Sequence, residues 1–217
     1  MGKKEEKEIF PPQSQDQQPG RESEMTPQPV SEDTQYKGCG KLKEKVAIIT
    51  GGDSGIGRAV AIAFAKEGAD VAIVYLNEHK DAEKTKQEVE AEGRRCLAIA
   101  GDVGDAAFCQ KAVDQTIREL DRLDTLINNA AEQHEIESIE DLDPKEIERT
   151  FRTNIFSYFY MTKAAVPHME DGSTIICTTS VTAYRGSPHL LTYASTKGRL
   201  SHLFDPSQVS SSIRGFA

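Results

Sequence analysis

Lys45-Val-Ala-Ile-Ile-Thr50, then Gly51-Gly52-Asp53-Ser54-Gly55-Ile56-Gly57, then Arg58 to Glu67 is the stretch that decides the fold. The first six residues read as a short buried strand, apolar and β-branched. After the glycines, Val60, Ile62, Ala63 and Phe64 recur at helical spacing, and Gly68 is placed to end the helix. Strand, glycine-rich turn and helix form the context of a dinucleotide-phosphate site. Glycines allow tight turning and close backbone approach. The helix start offers free N–H groups and a positive dipole end to a pyrophosphate. The spacing Gly51-x-x-x-Gly55-x-Gly57 differs from the commoner Gly-x-Gly-x-x-Gly, and an ordinary strand–helix turn is the alternative reading.

The same alternation continues outward. Strands are expected over 70–75, 95–100, 124–128 and 173–179. Helices are expected over 78–92, 105–120 and 144 to about 169, with Pro144 opening the last and Pro167 near its end. A further helix starts at Leu190 and is expected to run to Phe204. This order implies an α/β fold, a Rossmann-type doubly wound parallel sheet with helices on both faces. In such sheets ligands bind beyond the carboxyl ends of the strands. The residues that carry chemistry fall there: 51–57 after the first strand, Asp102 after the third, Asn128-Asn129-Ala130-Ala131 after the fourth, and Ser180 after the fifth.

Tyr193 and Lys197 are four residues apart, so on a helix they share one face. A phenol ionises near pH ~10 in water, and a fixed positive charge beside it favours phenolate. A hydroxyl from Ser180 could hold a carbonyl oxygen next to that phenol. Together they suit proton transfer in carbonyl–alcohol chemistry. Taken singly, Tyr-x-x-x-Lys is most often an exposed helix pair.

The ordered set resembles the short-chain dehydrogenase/reductase family. It comprises Thr50-Gly-Gly-Asp-Ser-Gly-Ile-Gly57, Asp102-Val103, Asn128-Asn129-Ala130-Ala131, Asn154, Ser180 and Tyr193-x-x-x-Lys197, and the resemblance covers about residues 41–198. Phe10-Pro11-Pro12-Gln13 and Gln18-Pro19-Gly20 in the preceding tail are similar to a bacterial group of general stress or aldehyde-reductase-like oxidoreductases, related to plant glucose/ribitol dehydrogenase homologues. The resemblance implies Tyr193 as general acid/base, with Lys197 lowering its pKa and binding the nicotinamide ribose. It implies Ser180 orienting the substrate oxygen and Asn154 holding a water in the proton relay. Gly51, Asp53, Ser54, Gly55, Ile56 and Gly57 would face the cofactor phosphates. Asp102 would bond the adenine amino group, Val103 would pack beside the ring, and Asn129 and Ala130 would line the ribose. Position 131, glycine in the family, is Ala here. Each residue also has an ordinary reading: Asn154 a satisfied buried amide, Asp102 a turn residue, Ser180 a strand-end hydroxyl.

NAD or NADP is therefore the expected cofactor, without a stated preference. Tyr75-Leu76-Asn77 at the end of the second strand is neither acidic nor arginine, and Ser54 is not basic. A small alcohol or carbonyl compound (sugar, polyol or aldehyde) is the expected substrate. The family also suggests a homo-oligomer.

The net charge of −9 disfavours a nucleic-acid partner, which requires a basic stripe. Cys39, Cys96, Cys109 and Cys177 lack Cys-x-x-Cys spacing, and the five histidines are scattered, so no metal is expected. No stretch is long and apolar enough to span a membrane, and no secretory signal is evident, which gives a cytoplasmic expectation. Residues 1–40 hold Pro11, Pro12, Pro19, Pro27 and Pro29 among many Gln, Glu and Lys, and read as a mostly disordered extension. Residues 41–204 form the oxidoreductase domain.

The family pattern stops after Lys197. Residues 205–217, beginning Asp205-Pro206, read as an aberrant tail. Pro206 would break the helix, and a sixth and seventh strand and a substrate lid are missing from the pattern. A frameshift near 198–204 or a natural short variant would account for this. The expected consequence is uncovered apolar surface along the fifth strand and marginal stability. The alternative function is then a catalytically inactive nucleotide-binding remnant.

Overall fold

The computed structural model describes residues 11–203, with side chains described to residue 200. The tail 205–217 and its helix-breaking Pro206 lie outside the described residues. Five strands form one parallel sheet in the order β3-β2-β1-β4-β5. They are β1 Val46–Thr50, β2 Asp70–Tyr75, β3 Cys96–Ala100, β4 Thr125–Asn128 and β5 Thr174–Cys177. Ile48 of β1 aligns with Ala72 of β2 and with Leu126 of β4. The order reverses between β1 and its two neighbours, so a crevice opens beyond the strands' carboxyl ends at that point.

The pleat divides the apolar residues between two cores. Val71 and Ile73 pack on one face with α1 (Gly55–Lys66) and α2 (His79–Ala91). Ala72 and Val74 pack on the other with α3 (Ala106–Leu120) and α5 (Ser157–Ala165). Both faces of the central strands are thereby covered, which is why those strands read as unbroken apolar runs. Burial pushes the Cys96 and Cys109 thiols up to about 12, so they serve as packing groups. β5 forms an edge among the described residues, and its Ile176 is 44% exposed.

The segment expected as one helix from 144 to 169 is interrupted. α4 (Pro144–Phe151) passes through a π-helical turn, Arg152–Phe156, before α5, and Val166–His168 closes with a 3-10 turn. A π turn inserts an extra residue into the helical ladder, which apolar periodicity does not reveal. After β5, a short α6 (Thr182–Arg185) precedes α7 (Leu191–Leu203).

Among the described residues of the extension, several contact the domain. Glu67 accepts backbone N–H groups from Cys39 at 3.1 Å and Lys41 at 2.9 Å, together with the Tyr36 hydroxyl. That hydroxyl, with the two N–H groups, holds the Glu67 carboxyl down to about 2. Glu22 is 5% exposed. The composition carries few apolar residues, and the buried Glu22–Arg58 pair joins residue 22 to the domain.

Gly51 has φ +63°, and at Gly57 an added Cβ would lie 1.9 Å from the Gly51 carbonyl oxygen. No rotamer relieves a backbone clash. Gly57→Ala is expected to cost about 1–3 kcal/mol or more in urea unfolding. A denaturation midpoint equal to that of the parent chain would contradict this packing.

Candidate active site

A cavity of about 480 Å³ lies at the sheet's topological switch, lined by Gly51, Asp53, Ser54, Ile56, Asp102, Val103, Asn129 and Ala130 among others. Of the residues expected to face the phosphates, Gly55 and Gly57 are absent from this lining and act on the turn itself. Ile56 begins α1's exposed rim, and Asp53 is buried beneath it. Burial raises the Asp53 carboxyl above its ordinary pKa, and the Ser54 hydroxyl donates to it at 2.9 Å. Gly55 departs from the expectation of a free N–H group, because it donates to the Glu22 carboxylate at 2.9 Å.

At β3's end, Asp102 uses Oδ1 to accept the Gly104 N–H at 2.7 Å, so it closes a turn while facing the cavity. Val103 is buried at the wall. Asn129 ties three strand ends together. Its amide donates to Thr50 O at 3.1 Å, and its Oδ1 accepts the Thr178 hydroxyl at 3.1 Å. The Thr50 hydroxyl accepts the N–H groups of Asn129 and Ala130 at 2.9 and 3.0 Å. This brace fixes the backbone floor of the cavity.

Asn154 sits in the π turn, fully buried. Its Oδ1 accepts the Glu132 N–H at 2.9 Å, and its Nδ2 donates to Glu132 O at 2.9 Å and to Thr196 Oγ1 at 3.1 Å. Glu132 lines the cavity and Thr196 belongs to α7, so Asn154 joins the cavity wall to the helix that carries Tyr193 and Lys197.

Lys197 is 1% exposed. Its ammonium donates to Thr178 O at 2.9 Å and to the Tyr158 hydroxyl at 3.2 Å, and lies 5.7 Å from the Tyr193 ring centroid. Burial lowers its pKa to about 8. Desolvation likewise holds the Tyr158 phenol well above its usual range, so that hydroxyl stays neutral. Tyr193 is half-buried, and Ser180 turns toward Thr182, whose hydroxyl donates to it at 3.0 Å. No hydrogen bond joins Ser180 to Tyr193 among the described residues.

Tyr158, Thr178, Thr196 and Arg58 were not singled out by the sequence. Their roles arise from contacts across long chain separations that no local motif encodes.

The short chain dehydrogenase family model matches residues 45–211. The chain belongs to this family. It is 61% identical over 189 residues to the uncharacterized oxidoreductase YhdF of Bacillus subtilis (strain 168), covering 87% of this chain and 65% of that one. It is 47% identical over 197 residues to glucose and ribitol dehydrogenase of Daucus carota, covering 88% of this chain and 68% of the relative. The chain thus spans about two thirds of the length of these relatives. Among solved structures, a short chain dehydrogenase from Burkholderia cenocepacia J2315 in complex with NADP superimposes with a TM-score of 0.71 at 35% identity, over 74% of this chain and 65% of that one. The fold expected from the sequence, a Rossmann-type parallel sheet, is the fold observed. No helix of the described residues is long and apolar enough to cross a membrane.

Asn154→Asp is expected to destabilise the chain by about 1–3 kcal/mol at neutral pH, because a carboxylate oxygen would face Glu132 O in place of a donor. Burial against a carbonyl raises the folded carboxyl's pKa. The deficit is therefore greatest above that pKa and shrinks as pH falls and the acid protonates. Urea titrations of both chains at pH 5 and pH 8 measure it, and a pH-independent difference would contradict the assigned contacts.

Proposed function

We propose that the chain is an NAD(P)-dependent oxidoreductase acting on an alcohol or carbonyl substrate of the sugar, polyol or aldehyde class. The observation that carries this is the placement of a buried Lys197 ammonium against the Tyr193 ring, on a helix tied through Asn154 to the glycine-lined cavity. The cavity fits a dinucleotide. Its glycine turn leaves no room for a Cβ at Gly57, which brings α1's first turn against the floor, and its far wall offers apolar Val103 beside Asp102. When bound, the nicotinamide supplies or accepts the hydride.

The residues of this chain manage the proton. Tyr193 gives a proton to the nascent alkoxide in reduction and takes it in oxidation. The Lys197 ammonium stands 5.7 Å from the Tyr193 ring centroid, and its charge, present below about pH 8, is lost as pH rises through its pKa. Ser180 is the group to hold the substrate oxygen. It would exchange its Thr182 contact for the substrate by a change of rotamer in the half-buried loop between β5 and α6. The relative named for glucose and ribitol supports a polyol or sugar as the first substrates to assay.

A second reading, nucleotide binding without turnover, is favoured by Ser180 being engaged by Thr182 and not aligned with Tyr193. Tyr193→Phe separates the two. The substitution keeps the ring and deletes the proton donor. Loss of nicotinamide-dependent turnover by roughly 10²-fold or more, with dinucleotide affinity nearly intact, is expected for a missing general acid. Lys197→Met is the control and should weaken both. Parent and Tyr193→Phe chains with equal turnover would overturn the assignment, and a parent chain that binds without turnover would favour the second reading.

A further inference from the structure

The segment that precedes β1 reaches the cavity. Pro19 contributes to its lining, and the 3-10 turn Glu22–Glu24 lies against the glycine-rich turn and the start of α2. Glu22 is buried in an otherwise polar stretch, and its carboxylate and its backbone N–H each have a partner in the domain. Its Oε2 accepts the Gly55 N–H at 2.9 Å, and its Oε1 accepts from Arg58 Nη1. The Glu22 and Ser23 N–H groups donate to the Asp81 carboxylate at 2.8 and 2.9 Å.

Arg58 is fully buried in the first turn of α1. Besides Glu22, it donates to Asp53 O at 2.7 Å, Thr85 Oγ1 at 2.8 Å and Asp81 O at 3.0 Å. A buried guanidinium requires a close carboxylate. The Asp81 and Glu88 carboxylates stand at 4.0 and 3.9 Å, so Glu22 is its close anionic partner. Ser54, the residue at the N-cap position, makes no side-chain cap bond. Glu22 therefore supplies the cap from a distant part of the chain and pulls on both Gly55 N and, through Arg58, Asp53 O. These are the two ends of the turn whose intervening residues face the cavity.

We propose that residues 19–25 form a strap belonging to the dinucleotide site, in which Glu22 is a positioning residue for the glycine-rich turn and Pro19 completes the cavity wall. This rests on the reading of the cavity as a dinucleotide site. Strap docking and nucleotide binding then stabilise each other, by the reciprocity that any coupling between two equilibria must obey. A strap that only stabilised the domain would not report on nucleotide.

Hydrogen exchange read by mass spectrometry on the intact chain, with and without saturating NAD+ or NADP+, tests this. Exchange at the Glu22 and Ser23 amides is expected to slow by roughly 5- to 150-fold with nucleotide, the span of ordinary site–site coupling. The end of α3 around Gln115–Glu119, at the opposite end of the sheet, is expected to stay unchanged and serves as the internal reference. Calorimetry on Glu22→Gln is expected to give a dissociation constant raised roughly tenfold, within the same coupling range. Glu90→Gln, an exposed residue of α2 paired with Lys86, should match the parent. Nucleotide binding by the parent with unaltered exchange at 22–23 overturns the strap proposal alone. Absence of nucleotide binding overturns the dinucleotide reading, and the strap's role with it. Because the exchange comparison uses the unsubstituted chain, it decides the matter even if Glu22→Gln fails to fold.

Discussion

The architecture depends on one close approach: the first turn of α1 lies against the glycine turn after β1 with no space for a side chain at Gly57. That contact aims the start of α1 at the crevice where the strand order reverses around β1. A helix start carries partial positive charge, so the geometry favours an anion there, and the carboxylate of Glu22 already takes the Gly55 N–H. The other elements support it. The Thr50–Asn129 brace holds the floor, Asp102 turns the chain after β3, and the Glu22–Arg58 pair secures the back of the turn.

A second support joins this cavity to the helix of Tyr193 and Lys197. Asn154 is held in a π turn, a local departure from α geometry that is tolerated because its amide satisfies both polar groups of the Glu132 backbone and reaches Thr196. Buried polar networks are costly when incomplete and rigid when complete. Here the network fixes α7 relative to β4's end, and α7 in turn carries the ammonium whose charge sits beside the Tyr193 ring.

The sheet was legible in the sequence because each strand is a short apolar run ending in punctuation. β2 occupies the expected residues 70–75. The glycine turn was legible because only glycine suits its backbone. The π turn at Asn154 was not, since one extra residue in a helix leaves the apolar spacing nearly unchanged. Nor were the partners of Lys197 visible. Tyr158 and Thr178 lie on other elements, and only the fold brings them together. Nor was Arg58: a charged residue in the first turn of a helix is ordinarily solvated, and its buried partner Glu22 lies 36 residues away.

On the proposed function, the crevice at the sheet's switch point receives a dinucleotide along the glycine turn. Backbone amide chemical shifts of the isotopically labelled chain, followed through a titration with NAD+ and with NADP+, test it residue by residue. The largest changes are expected at Ser54, Ile56, Val103 and Ala130, with Glu44, Asp121 and Gly172 at the opposite end of the strands unmoved. Saturable changes centred on that opposite end, or none at the glycine turn, would contradict it.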